Sequence, residues 1–135
     1  MKQDTITIDE LVRQAEAIVL EYFQGSESSK DTIGNTQLSN AIDVIVQSKS
    51  VEVFCNWLRY QMARESRDQK GFESSDQKRF WTTQKGSLKT FGERVIDEVR
   101  RPPCASNVEN ITHFLGFLRR AYIAREYLKQ KEESR

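Results

Sequence analysis

The chain of 135 residues is short of every residue type that builds staples, tight turns and metal sites: two cysteines, two prolines, six glycines and one histidine. The scarcity of proline and glycine argues against a β-sandwich or barrel, whose short strands need turn residues every 8 to 12 positions or so, about twice what this chain supplies. With His113 alone, and Cys55 and Cys104 far apart in sequence, the paired spacing of a zinc site is missing, so neither a metal nor any other cofactor is expected. Two independent thiols, not a disulfide, are expected in a reducing compartment. No apolar run approaches the roughly 20 residues that span a bilayer, and no charged, apolar and small-residue leader opens the chain. A cytoplasmic protein with no membrane partner is expected.

What is present is 37% hydrophobic and 30% charged residues, the composition of a solvated helical protein. The length suits one domain over 1–135 with a core of ordinary size. The expected fold is all-α, a single-domain bundle of about five helices. Net charge is +1, but its distribution is uneven. Residues 1–58 hold four Lys or Arg against nine Asp or Glu, residues 59–101 eleven against seven, and residues 102–135 six against four. An acidic first part and a basic middle suit head-to-tail contacts between copies, or one face toward protein and another toward phosphate. Ordinary solvated helix surfaces would give the same counts.

Five stripes of apolar residues recur at helical spacing. Thr7 and Glu10 have the spacing of a capping box, and Ile8, Leu11, Val12, Ala15, Ile18, Val19 and Tyr22 follow up to Gly25, placed to end the helix. Residues 24–35 have loop composition. Asn35 or Thr36 then caps a second helix with Leu38, Ala41, Ile42 and Ile45 inward, ending near Ser48. Ser50 caps a third, in which Val51, Phe54, Cys55, Leu58 and Met62 form one stripe and Trp57, Tyr60 and Arg64 another. That second stripe is either a further core layer or a surface on which Arg64 reaches phosphate and the aromatics meet a neighbour or a base. A fourth helix is expected over 87–101, stopped by Pro102-Pro103, with a short one around 75–83. Ser106 and Glu109 again have capping-box spacing, and the fifth helix runs to about Glu132 as the longest. Arg125 falls inside its apolar arc and requires a carboxylate, an interface or a phosphate; Gly116 is open to close approach by another backbone.

Between the third and fourth helices Arg67, Lys70, Lys78, Arg79 and Lys85 interleave with Phe72, Phe80 and Trp81. That is the composition of a loop that follows a nucleic-acid backbone, or of one pinned to the bundle by its aromatics. Catalysis lacks parts. His113 stands on a polar helix side with no partner motif, and neither a phosphate-binding glycine loop nor a Gly-x-Ser-x-Gly elbow occurs. The chain is expected not to be an enzyme.

The order of certain short motifs carries a resemblance. Thr36-Gln37-Leu38 opens one helix, Arg59-Tyr60-Gln61-Met62-Ala63-Arg64-Glu65 closes the next, Phe91-Gly92-Glu93 leads into Val95-Ile96 and Glu98, and an aromatic helix ends the chain. From Thr7 to about Tyr127 this resembles the small subunit of type III CRISPR effector complexes. It departs in Ala63, where similar subunits have glycine before the arginine, and in a lysine-rich tail after Tyr127. The resemblance implies a non-catalytic helical subunit that touches the backbone of a guide RNA and its target nucleic acid without reading bases. It also implies contact with the other effector subunits and with further copies of itself. The candidate RNA-binding residues are Arg59, Arg64, Lys85, Arg119 and Arg120: Arg64 because the resemblance falls on it, Arg119 and Arg120 because the last helix leaves that face open. A helical protein–protein adaptor without an RNA role is the alternative, and it would scatter these residues where an RNA-lining subunit brings them together.

Overall fold

The computed structural model describes residues 2–23, 31–71, 79–84 and 89–133. Among them there are six helices and no strand: α1 (Lys2–Phe23), α2 (Asp31–Ser48), α3 (Val51–Gly71), α4 (Phe91–Arg100), α5 (Val108–Ile123) and α6 (Arg125–Glu133). The all-α expectation holds, and the apolar stripes are where the core forms, except that Ile8 at the start of the first stripe is 38% exposed. Leu11, Ala15, Ile18 and Val19 of α1, Leu38, Ala41 and Ile45 of α2, and Phe54, Cys55 and Leu58 of α3 are all fully buried. So are Val95 and Val99 of α4 and Ile111 and Leu115 of α5. No helix among the described residues is long and apolar enough to cross a membrane.

Several boundaries differ from expectation, each for a local reason. α1 begins at Lys2, so Thr7 lies within the helix and does not cap it. α2 begins at Asp31, inside the stretch expected to be loop. Small residues are needed there: a Cβ at Gly34 would stand 2.3 Å from the ring of Tyr122, so glycine lets α2 lie directly against α5. Ser50 does cap α3, its Oγ accepting from the Val53 amide at 3.1 Å, but the helix runs on to Gly71. Residues 79–84 form a turn, not the end of a short helix, and the rest of that expected helix lies outside the described residues, as does Gly25. α4 starts at Phe91, four residues later than expected, because Thr90 and Glu93 make a complete capping box. Ser106 cannot serve as an N-cap, since its φ of 57° lies outside the extended region; Asn107 takes the role, accepting from the Asn110 amide.

The expected fifth helix is two. α5 stops at Ala124, whose N–H turns back to the carbonyls of Arg120 and Tyr122, and α6 starts at Arg125; among the described residues the longest helix is therefore α1, with 22 residues. The break settles what Arg125 does. The side chain is 3% exposed, its Nη1 donates to the Tyr122 carbonyl at 2.7 Å, and its guanidinium lies 4.2 Å from the centroid of the Tyr122 ring. The Tyr122 carbonyl and the Tyr122 ring thus both receive part of this buried charge.

Alternating directions place the helix ends. The two-residue connection at 49–50 makes α2 and α3 antiparallel. α1 runs parallel to α5: Phe23 at its end meets Tyr122 at 5.1 Å, while Thr7 and Ile8 share a shallow depression with Asn107 and His113 at the start of α5. One end of the bundle, the aromatic end, gathers the ends of α1, α3 and α5 and the starts of α2 and α4. The other, the connection end, holds the α2–α3 and α4–α5 connections.

Candidate nucleic-acid interface

The motif residues Gln37 and Glu65 meet at the aromatic end, and both hold the 80–82 turn. Glu65 lies on the inner side of α3, seven residues beyond Leu58. Its Oε1 accepts from the Phe80 amide at 3.0 Å, the Thr82 amide at 2.9 Å and the Thr82 hydroxyl at 2.7 Å, while Oε2 accepts from the Trp81 amide at 3.0 Å. Three consecutive backbone N–H groups thus converge on one carboxylate, the arrangement by which backbone concavities hold anions. Gln37 Oε1 accepts from the Trp81 indole at 3.0 Å. The Trp81 carbonyl in turn accepts from the Gly92 amide at 2.7 Å, which ties the turn to the start of α4. The fit is close, since a Cβ at Gly92 would come within 2.6 Å of the Met62 sulfur.

Aromatic packing completes the clamp. Phe80 and Trp81 are buried, so the 79–84 turn is pinned by its aromatics. Trp81 stacks on Phe91 with centroids 5.5 Å apart and 9° between planes, and Phe80 stacks on Phe23 at 5.3 Å. Trp57 turns inward to meet the Trp81 ring edge-on at 6.1 Å. The second stripe of α3 therefore divides: Trp57 joins the core, whereas Tyr60 and Arg64 stay outside, Tyr60 being 59% exposed.

The exposed residues of α3 from Val53 to Arg67 are Val53, Asn56, Arg59, Tyr60, Ala63, Arg64, Ser66 and Arg67. None is acidic. Glu65, the one carboxylate in that interval, faces the 80–82 turn. Arg64 leans toward Tyr60, its guanidinium 5.8 Å from the ring centroid. The clamp adds Arg79, exposed and immediately before Phe80, at the C-terminal end of this ridge.

The other candidates are placed as follows. Arg59 and Arg64 are both exposed on α3, about 7.5 Å apart along its axis and about 140° apart around it. Arg120 is exposed on the last turn of α5, and Arg119, half-buried, donates through Nε to Asn35 at 2.6 Å. Asn35 is two residues from Gln37, so Arg119 and Arg120 belong to the same end of the bundle as Arg64 but stand on a different helix. Lys85 lies outside the described residues. Gly116 has nothing within 4 Å of where a Cβ would be, so among the described residues no backbone outside its own helix approaches it. Glu65 was absent from the sequence-based candidates, although a carboxylate on the apolar stripe of α3 is a signal that the sequence contains.

Away from this end, polar groups are paired locally. Glu98, buried on α4, receives Arg94 at 2.9 Å and also Arg101. Burial opposes the Arg94 charge, but hydrogen bonds and charge from Glu98 and Glu21 outweigh it and hold its pKa above the ordinary arginine value. Cys55 and Cys104 are both buried as free thiols, and burial, with the Glu98 charge, pushes the Cys104 thiol up to about 12. Among the described residues no group of three His, Cys, Asp or Glu could hold a metal ion. Comparison with protein-family models, with curated proteins and with solved structures finds no match for this chain.

Proposed function

We propose that this protein is a non-catalytic small subunit of a type III CRISPR RNA-guided effector complex, acting in the cytoplasm. It lines and steadies the guide RNA–target duplex through backbone contacts and touches neighbouring subunits, including copies of itself. The motif order supports the reading. The observation that carries it is the stretch of α3 from Val53 to Arg67, where Arg59, Arg64 and Arg67 are exposed and Glu65, the one carboxylate in that interval, is turned inward. Guanidinium groups on a regular element are suited to phosphate, which gives affinity and position without base specificity. Gln37 and Glu65 have a structural part in this reading: they fix the turn that bounds the ridge. Exposed Val46, Val53, Ile123 and Tyr127 support the adaptor alternative, since they offer apolar contact at both ends of the bundle.

The test is to recover the full chain under mild conditions from the cells that make it and to identify what accompanies it. Larger subunits and a short RNA of defined length are expected; protein partners without RNA would favour the adaptor. In the recovered complex, Arg59→Glu with Arg64→Glu is expected to weaken target binding equally for all sequences and to lower the log–log salt slope by about two.

A further inference from the structure

We propose that Tyr60 is a stacking platform for an unpaired base, so that the ridge of α3 takes single-stranded RNA in preference to duplex. The proposal rests on the RNA reading above in taking the same ridge to meet RNA, and departs from it in the strand: Tyr60 would hold an unpaired base beside the duplex, not the duplex itself. Most large aromatics at this end of the bundle are covered: Tyr22, Trp81, Phe91 and Tyr122 are at most 1% exposed, and Trp57 packs on Trp81. Tyr60 at 59% stays exposed, as does Tyr127 at 66% on α6, but only Tyr60 has a guanidinium set beside its ring among the contacts of these two. Its surroundings also differ from those of an incidental surface tyrosine. Arg64 stands one turn beyond it with the guanidinium 5.8 Å from the ring centroid, which restrains the ring through a cation–π contact and sets a positive charge beside it. Ala63 adds no bulk three residues on, and Arg59 and Arg67 continue the positive charge along the helix with no exposed acid between Val53 and Arg67.

A positive track beside an exposed aromatic is how proteins hold single strands, because every base has a face to stack while its phosphate meets the guanidinium. A duplex keeps its bases stacked on each other, so only the arginines would meet it.

The probes are a purine-rich 20-nucleotide RNA, its duplex, and the same strand carrying the fluorescent base 2-aminopurine, mixed with the full-length chain at about 50 mM salt, where phosphate contacts are strongest. Wild type is expected to bind the single strand more tightly than the duplex and to quench 2-aminopurine. Tyr60→Ala is expected to lose roughly tenfold on the single strand, to change little on the duplex and to abolish the quenching, whereas Tyr60→Phe retains all three behaviours. Arg59→Glu with Arg64→Glu is expected to lose binding of both. Because Tyr60 is mostly exposed, each variant should keep the wild-type helix content and melting midpoint, and Tyr60→Phe controls for the one that does not. If the arginine pair abolishes binding while Tyr60→Ala binds like wild type, or loses single strand and duplex alike, the stacking proposal fails and the RNA reading stands. If neither variant changes RNA binding, or the chain binds no RNA at this salt, both fail.

Discussion

The two ends of the bundle are held by different physics. At the aromatic end a partly buried carboxylate collects four hydrogen bonds from a turn, an indole donates to Gln37, and rings pack in a continuous cluster from Phe23 to Tyr122. At the connection end α3 meets α4 through an exposed ion pair, Arg100 with Glu52, while the buried Glu98 is held within its own helix and cap by Arg94 and Arg101, with Cys104 buried beside it. Groups removed from water make interactions that are costly to break, whereas exposed charges are already served by solvent and salt. The arginine ridge stands at the aromatic end, on the helix whose Glu65 holds the 80–82 turn.

The largest expected effect is at Glu65. Glu65→Ala leaves three consecutive N–H groups of a pinned turn without their acceptor, and should cost about 3 kcal/mol in denaturant unfolding. Glu65→Gln keeps one oxygen but points an amide toward donors, and should cost about half as much. A loss of less than about 0.5 kcal/mol for Glu65→Ala, the usual range for a surface site, would place the turn's stability in its rings alone and weaken the contrast between the ends.

Much of this end was legible from sequence in one sense and hidden in another. The inward residues of α1 to α5 follow from 3.6-residue periodicity, because burial is decided by the same spacing. The start of α2 was not, since Gly34 and its small neighbours have loop composition and reveal their purpose only when Tyr122 is seen against them. The α5–α6 break is equally hidden: Ala124 and Arg125 are good helix formers, and the interruption belongs to how Arg125 packs on Tyr122. As for the site, the order of motifs brought out Arg64 and included Gln37 and Glu65, but spacing does not say that a glutamate beside an exposed arginine points inward to hold a turn 15 residues away. That Arg119 lies toward the same end of the bundle as Arg64, on a different helix, is a tertiary fact carried by the Asn35 and Gln37 bonds.

Two glycines sharpen the comparison with opposite signs. Gly34→Ala forces a methyl group against the Tyr122 ring at the aromatic end and is expected to destabilise by about 2 kcal/mol. Gly116→Ala fills open space within α5 and is expected to stabilise by about 0.5 to 1 kcal/mol through helix propensity. Thermal melting of the two variants measures both. Equal destabilisation would mean that Gly116 is covered in solution, for instance by a second copy of the chain.

A smaller effect is expected from Cys104 at the connection end. Its folded pKa is raised from 9.0 to about 12 by burial and by Glu98. A raised folded value favours the folded state fully below the unfolded pKa, and the advantage is lost as pH rises through 9 toward 12. By about pH 10 the unfolded state gains about 1 kcal/mol from ionising this thiol. Cys104→Ala should therefore show a shallower fall of stability than wild type over this interval, whatever its offset at neutral pH. Parallel curves would mean that the thiol ionises in place and that this end is more open to water than its burial implies.

The smallest effect belongs to Glu52 and Arg100. The pair is bidentate, with two contacts of 3.2 Å, yet Glu52 is largely exposed, so its charge is screened and both side chains give up rotamer freedom to meet. The hydrogen bond and charge of Arg100 hold the Glu52 carboxyl below its ordinary value of 4.5. A lowered folded value means that any contribution is present above 4.5 and fades as pH falls through the folded pKa. Glu52→Gln should leave the melting midpoint at neutral pH unchanged within error, in low and in high salt, and wild type and variant should coincide in acid. A clear loss at neutral pH that vanishes in high salt would show charge holding the connection end as firmly as Glu65 holds the other, and the contrast between the two ends would have to be given up.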